Sequence, residues 1–279
     1  MKNLLNLAFC AVSAAVLSSC CTSNLKYDDG PKQPKTTLKA FYTQEKITVD
    51  GKLDEKIWQM APKYNMYRPI SDSFRYSKQT RDAFKGDIVE PGFAQYAWDD
   101  NFLYVAVTFT DSDLHAEGME DQLHHYKMGD VVEIFLKPEE ETFYWEIYGT
   151  PRNKRTAFRF LARSLSGLGS SYPEKCPLEK LAVGAQVDGT LDEPWDKDKG
   201  WTCEVKIPLD EICVRGGSFT QYNWRIFTCR YNYNRYIYGR PELSTVPRQY
   251  QCNYHEHADY GWLQFVKMDA ISKLAQNAQ

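Results

Sequence analysis

From Ile47 onward the chain breaks into short runs in which apolar and polar residues alternate, and this period of two constrains the fold more than any other feature. Successive side chains of a strand point to opposite faces, so each run carries one face for a core and one for another purpose. Runs at 93–98 and 102–109 are joined by Asp99-Asp100-Asn101, and those at 131–136 and 143–148 by a turn over 138–141. Further runs fall at 157–161, 182–187, 201–207, 224–229 and 262–266, and Ile47-Thr48-Val49 before Asp50-Gly51 reads as one arm of a hairpin. Only two short helices are expected, over 53–60 and over 209–212 after Pro208. Many short strands and few helices argue for an all-β fold, an antiparallel β-sandwich or barrel.

Composition narrows the function. A 43% hydrophobic and 25% charged chain is ordinary for a globular protein, which argues against wholesale disorder and a polytopic membrane protein. Lys plus Arg number 34 against 37 for Asp plus Glu, so no basic footprint for nucleic acid exists. The aromatic residues, with 19 tyrosines and 7 tryptophans, are the feature that needs a purpose. No Gly-x-Ser-x-Gly elbow, P-loop or dinucleotide fingerprint occurs.

The N-terminus reads as an address. Lys2 precedes an apolar run over 4–17 that is too short to span a bilayer, and Leu17-Ser18-Ser19-Cys20 resembles a bacterial lipobox. The expectation is a lipoprotein signal peptide over 1–19, lipid on Cys20 and a tether over 20–40 containing Gly30, Pro31 and Pro34. Such an anchor places the chain at the cell envelope, at the outer membrane, on its periplasmic or surface face. Asp28-Asp29 resembles the acidic export signal of some surface lipoproteins. A single domain over 41–268 and a polar tail over 269–279 follow. Cys176, Cys203, Cys213, Cys229 and Cys252 contain no CxxC pair and are read as mostly buried thiols.

The order of landmarks resembles that of family 9 carbohydrate-binding modules. The match begins with Ile47-Thr48-Val49-Asp50-Gly51-Lys52-Leu53-Asp54-Glu55 and Trp58, then Ala97-Trp98-Asp99-Asp100-Asn101-Phe102-Leu103-Tyr104-Val105. It continues through Asp111, Gly129-Asp130-Val131-Val132-Glu133-Ile134-Phe135-Leu136, Gly200-Trp201 to Ile207-Pro208, and Tyr260-Gly261-Trp262-Leu263-Gln264-Phe265. The resemblance implies a DOMON-like β-sandwich that binds oligosaccharide or polysaccharide without catalysis and often carries structural calcium. Other glycan-processing envelope proteins are further expected partners.

Family members clamp a sugar between two tryptophans, and the nearest aromatics at those places are Tyr126, offset by one residue, and Tyr254, followed by His255. Asp111, Glu133 and Glu146 match polar ligand contacts, Tyr148 stands where an arginine is usual, and Arg230 is the candidate to supply the missing cation. The chemistry is apt: sugar C–H faces pack on rings while hydroxyls need planar donors and acceptors. Equally, the two tyrosines could simply pack loops, and Glu133, in mid-strand, could pair with Arg159 or Arg230. Trp58, Trp98, Trp145, Trp201 and Trp262 read as framework, and Trp195 as a loop platform or staple. Calcium oxygens could come from Asp111 with Asp113, or Asp196 with Asp198. Two alternatives remain open: a glycoside hydrolase using the paired carboxylates, and a haem-binding domain using residues among Met119, Met128, His124, His125, His255 and His257.

Overall fold

Alternation and burial together account for the architecture. The computed structural model describes residues 36–70, 88–163, 174–213, 219–237, 241–250, 252–267 and 269, so Cys20, the expected signal peptide and Asp28-Asp29 lie outside the described residues. Among the described residues the chain forms β1 (Thr37–Tyr42), β2 (Tyr64–Asn65), β3 (Gly92–Trp98), β4 (Phe102–Thr110), β5 (Val131–Pro138), β6 (Tyr144–Gly149) and β7 (Arg155–Phe160). These are followed by β8 (Glu174–Lys175), β9 (Ala182–Asp188), β10 (Gly200–Pro208), β11 (Trp224–Asn232), β12 (Glu242–Val246) and β13 (Gly261–Val266). Helices α1 (Lys56–Met60) and α2 (Leu209–Ile212) are short.

The strands follow one another in the order β8-β7-β6-β5-β11-β13-β1-β3-β4-β10-β9, with β12 beside β11 and β2 beside β3. Pairing is antiparallel except at β1, which runs parallel to both β13 and β3. The sheet is therefore mixed where a purely antiparallel one is expected. Moreover, β1 begins at Thr37, inside the segment expected to be tether.

The sheet folds over so that its two halves share one core. Val132, Ile134, Trp145, Ile147 and Ile226 from β5, β6 and β11 join Val105, Val107, Cys203 and Val205 from β4 and β10, all 0–1% exposed. Full burial of each such aliphatic side chain contributes about 1.5–3 kcal/mol. The halves approach closely at Gly149, where a Cβ atom would lie 2.9 Å from Val205 Cγ2 and 3.0 Å from Cys203 Sγ. On the outside of one half, α1 covers Phe41, Ala97, Tyr104 and Ala106 with Ile57 and Trp58. On the outside of the other half lies an aromatic cluster built around Phe135, Tyr148, Phe227 and Tyr231.

The segment Ile47–Asp50 is not a strand. Its Asp50-Gly51 turn is seized instead by Glu204 of β10, which accepts the Asp50 and Gly51 backbone N–H groups at 3.0 and 2.9 Å and Trp58 Nε1–H at 2.8 Å. Gly51 has φ +82° and sits where a Cβ would come within 2.6 Å of the Ala185 backbone, so the turn needs glycine twice over. Cys203, Cys213, Cys229 and Cys252 are buried and Cys176 is partly buried.

Candidate functional site

Strands β5, β6 and β11 bring most of the expected site residues to one face. Glu133 lies opposite Tyr148 on one side and Cys229 on the other, while Phe135 lies opposite Glu146 and Phe227. Glu133 and Glu146 are thus diagonal neighbours on the same surface. Glu133 is 2% exposed and accepts the Cys229 thiol at 3.5 Å. Glu146 accepts a short hydrogen bond from Tyr148 Oη–H. Burial pushes the Glu146 carboxyl up to about 7, and burial with the neighbouring Glu146 and Glu133 charges raises the Tyr148 hydroxyl well above its ordinary value.

Two segments cover this surface. From the first, Tyr126 is half-buried with its ring 6.4 Å from Tyr148, and exposed His124 stacks on Phe158 at 4.8 Å. From the second, Tyr254 contacts Phe135 at 6.4 Å and Phe227 at 5.6 Å, and His255 Nδ1 meets Tyr144 Oη at 2.8 Å. Tyr126 and Tyr254 do not confront one another across open space. Tyr231 stands between them, 5.6 Å from the first ring and 5.5 Å from the second. The expected clamp is therefore not an open one here: Tyr254 is 4% exposed and the Tyr231 ring fills the gap. Tyr231 escapes the sequence reading because the apolar run is read as ending at Cys229, whereas β11 continues to Asn232. Carrying the alternation two residues further places Tyr231 on the face of Phe227 and Cys229.

Asp111 and Arg230 are not part of this face. Arg230 alternates to the opposite side of β11, where its Nη2–H donates to Asp111 at 2.8 Å, its Nη1–H donates to the Glu90 carbonyl at 3.1 Å, and its guanidinium lies 4.5 Å over the Phe109 ring. Arg230 therefore does not stand in for an arginine at Tyr148, nor does it pair with Glu133. Burial raises the Asp111 carboxyl despite the guanidinium, and it raises Asp130 further because the Asp111 charge is near. Arg159 lies opposite Trp145 and so also points away from Glu133.

The expected calcium oxygens are otherwise engaged. Asp111 and Asp113 pair with Arg230 and Arg235, while Asp198 accepts the N–H groups of Leu114 and Thr190 at 2.7 Å each. Among the described residues no group of three His, Cys, Asp or Glu side chains is disposed to hold a metal ion. The histidines proposed for haem are likewise committed: His255 to Tyr144, His124 to Phe158, and His125 to a buried position where desolvation lowers its pKa to about 4.

Two clefts stand out, and neither opens over Glu133. One of about 870 Å³ lies at the far ends of the strands, with Trp98, Asp100, Asn223, Trp262 and Gln264 in its wall. The other, about 730 Å³, lies at the near end and includes Asp113, Arg152, Asp192, Tyr233 and Arg235.

The fold is a nearly closed all-β sandwich with a buried aromatic cluster that encloses two carboxylates. Residues 49–220 match the family described as Carbohydrate family 9 binding domain-like, and the chain belongs to that family. A search of curated proteins gives no match. Among solved structures, a "putative carbohydrate-binding protein" from Bacteroides uniformis ATCC 8492 is similar at TM-score 0.62 and 12% identity, covering 84% of this chain and 100% of that one. A family 9 carbohydrate-binding module from Caldicellulosiruptor kristjanssonii, in complex with cellotriose, is similar at TM-score 0.52 and 14% identity, covering 83% and 94%. A family 9 carbohydrate-binding module from the same organism, in complex with glucose, is similar at TM-score 0.50 and 14% identity, covering 82% and 96%. At these identities the likeness is one of fold.

Proposed function

We propose that this chain is a non-catalytic carbohydrate-binding domain that takes a glycan at the aromatic face of β5, β6 and β11, held at a bacterial outer membrane by lipid on Cys20. The observation that carries the reading is the convergence of Tyr126, Tyr148 and Tyr254 over Glu133 and Glu146 in a member of a carbohydrate-binding family. Rings supply the apolar surface for a pyranose, and the two carboxyl groups and Tyr148 supply hydroxyl partners. Half-buried Tyr126 and His255 form the accessible rim, so a sugar that enters between the tyrosines displaces the Tyr231 ring. Family 9 modules from Caldicellulosiruptor kristjanssonii were solved with glucose and with cellotriose, which makes those sugars sensible first probes.

Calorimetry with glucose, cello-oligosaccharides and soluble β-glucan, xylan and mannan tests the reading. Binding by the wild type, weakened at least tenfold in Tyr126→Ala at unchanged melting temperature, is the expected result; silence across the panel rejects it. Anchoring is tested separately: Cys20→Ser should move the protein from the membrane fraction to the soluble one. A hydrolytic reading draws on the Glu146 carboxyl at about 7, a value suited to a general acid. Reducing sugar released by the wild type and abolished in Glu133→Gln is the result that favours it.

A further inference from the structure

The near-end cleft borders the aromatic face through a single residue. Tyr233 lines the cleft, and its Oη–H donates to the Tyr126 carbonyl at 2.6 Å, so the wall of one site is the support of the other. Beside the cleft runs the loop Glu193-Pro194-Trp195-Asp196, in which Trp195 is 90% exposed, far beyond any other large hydrophobic side chain of the described residues. Trp195 has not simply been left on a loose strand of chain. Arg235 Nη1–H donates to the Pro194 carbonyl at 2.6 Å, Tyr236 Oη–H to the Asp196 carbonyl at 3.1 Å, and the Trp195 N–H to Glu193 at 3.1 Å. A pinned loop presenting an indole to water is a prepared surface, because holding it ordered leaves less entropy to lose when something stacks on it. Met119, 62% exposed, lines the cleft itself, as does Pro194 of the loop that carries Trp195.

The charges of the cleft tell what sort of ligand fits. Its two arginines are each engaged by a carboxylate, Arg152 by Asp192 and Arg235 by Asp113. An anionic ligand such as a phosphate would need cations not already neutralised. The Arg152–Asp192 pair, 25% and 27% exposed, is neutral overall and reaches water, so it can share hydrogen bonds with neutral hydroxyls, and a ring face beside it suits the C–H side of a sugar. We propose that this cleft, with Trp195 as its platform, is an accessory subsite for further residues of a neutral glycan chain whose first residue lies at the Tyr126 rim. The proposal rests on the carbohydrate-binding reading of the aromatic face and names its ligand class: an oligosaccharide rather than a single sugar.

The test is calorimetry on the full-length protein with glucose, cellotriose, cellohexaose and the three polysaccharides above, for wild type, Trp195→Ala and Tyr126→Ala. Wild-type affinity should rise with chain length. Trp195→Ala should lose about five- to tenfold on the longest bound ligand while keeping its affinity for the shortest. Tyr126→Ala should lose both. Because Trp195 is exposed, its truncation leaves the fold intact, which an unchanged melting temperature verifies. Wild-type binding with the longest ligand held equally well by Trp195→Ala overturns the subsite alone. Wild-type silence across all ligands overturns the subsite together with the reading on which it stands.

Discussion

Removing Arg230 without its partner is the sharpest probe of how the end of the sandwich is built. Arg230 and Asp111 are 1% and 0% exposed and meet at 2.8 Å, so water screens neither charge. In Arg230→Met the Asp111 carboxylate remains buried, with Glu90 and Asp130 nearby acting against its charge. Breaking a buried pair from one side costs about 3–5 kcal/mol, a large part of the roughly 5–15 kcal/mol that holds a typical domain together. Without the guanidinium, the folded-state Asp111 carboxyl rises further above its ordinary value of 3.8. The penalty is therefore absent below the unfolded pKa and grows as pH rises above it, so the variant should lose least stability in acid. Asp111→Asn with Arg230→Met removes both charges, keeps an acceptor for the Asp113 N–H, and should recover most of the loss. Urea unfolding followed by tryptophan fluorescence at several pH values measures all three variants. An Arg230→Met protein within about 1 kcal/mol of wild type, or a double variant no more stable than the single one, refutes the argument.

Other outcomes follow from the same geometry. Glu146 is pushed up to about 7 from 4.5, so the folded state holds its proton more tightly, and stability should fall as pH rises from about 4.5 to 7 and level off beyond. The span corresponds to on the order of 3 kcal/mol, and Glu146→Gln should flatten that part of the stability–pH curve. His125, lowered to about 4 by burial, acts in the other sense: stability present above pH 6.5 is lost as pH falls toward 4, a loss that His125→Gln should reduce in acid unfolding. Gly149→Ala sets a Cβ 2.9 Å from Val205 Cγ2 and should cost about 1–3 kcal/mol, relieved in combination with Val205→Ala. Trp58→Phe deprives buried Glu204 of its Nε1–H donor and should cost about 1–3 kcal/mol in denaturant midpoint, with a smaller loss where Glu204 is also Gln. A midpoint unchanged in Trp58→Phe contradicts the role given to Glu204.

Most strand faces were legible because a period of two needs no knowledge of partners. Phe135 and Glu133 on one side and Ile134 on the other follow from alternation alone, as does the separation of Trp145 from Glu146. Three things were hidden because they depend on pairing between distant segments. The stretch at 37–40 reads as tether until it is inserted between β13 and β3, where Leu38 and Ala40 become fully buried. Asp50-Gly51 has every local mark of a hairpin, yet a carboxylate more than 150 residues away claims its N–H groups. Asp111 and Arg230 are chemically suited to sugar hydroxyls, and nothing local says that they face one another across the sandwich interior.

Strand β11 joins these levels, since its two faces carry unlike chemistry. Phe227, Cys229 and Tyr231 look out onto the aromatic face, whereas Thr228, Arg230 and Asn232 look inward to Tyr96, Asp111 and Glu90. Shifting the register by one residue would bury the aromatics between the halves and place an arginine beside Glu133, undoing both sides at once. The interior polar contacts therefore help to determine which residues appear on the candidate binding face. They also lead directly to Tyr233, whose N–H is held by Asp130 at 2.8 Å while its hydroxyl holds the Tyr126 carbonyl. A glycan spanning the Tyr126 rim and the Trp195 cleft would thus contact a surface whose position is set from within the sandwich, by groups that never touch the ligand.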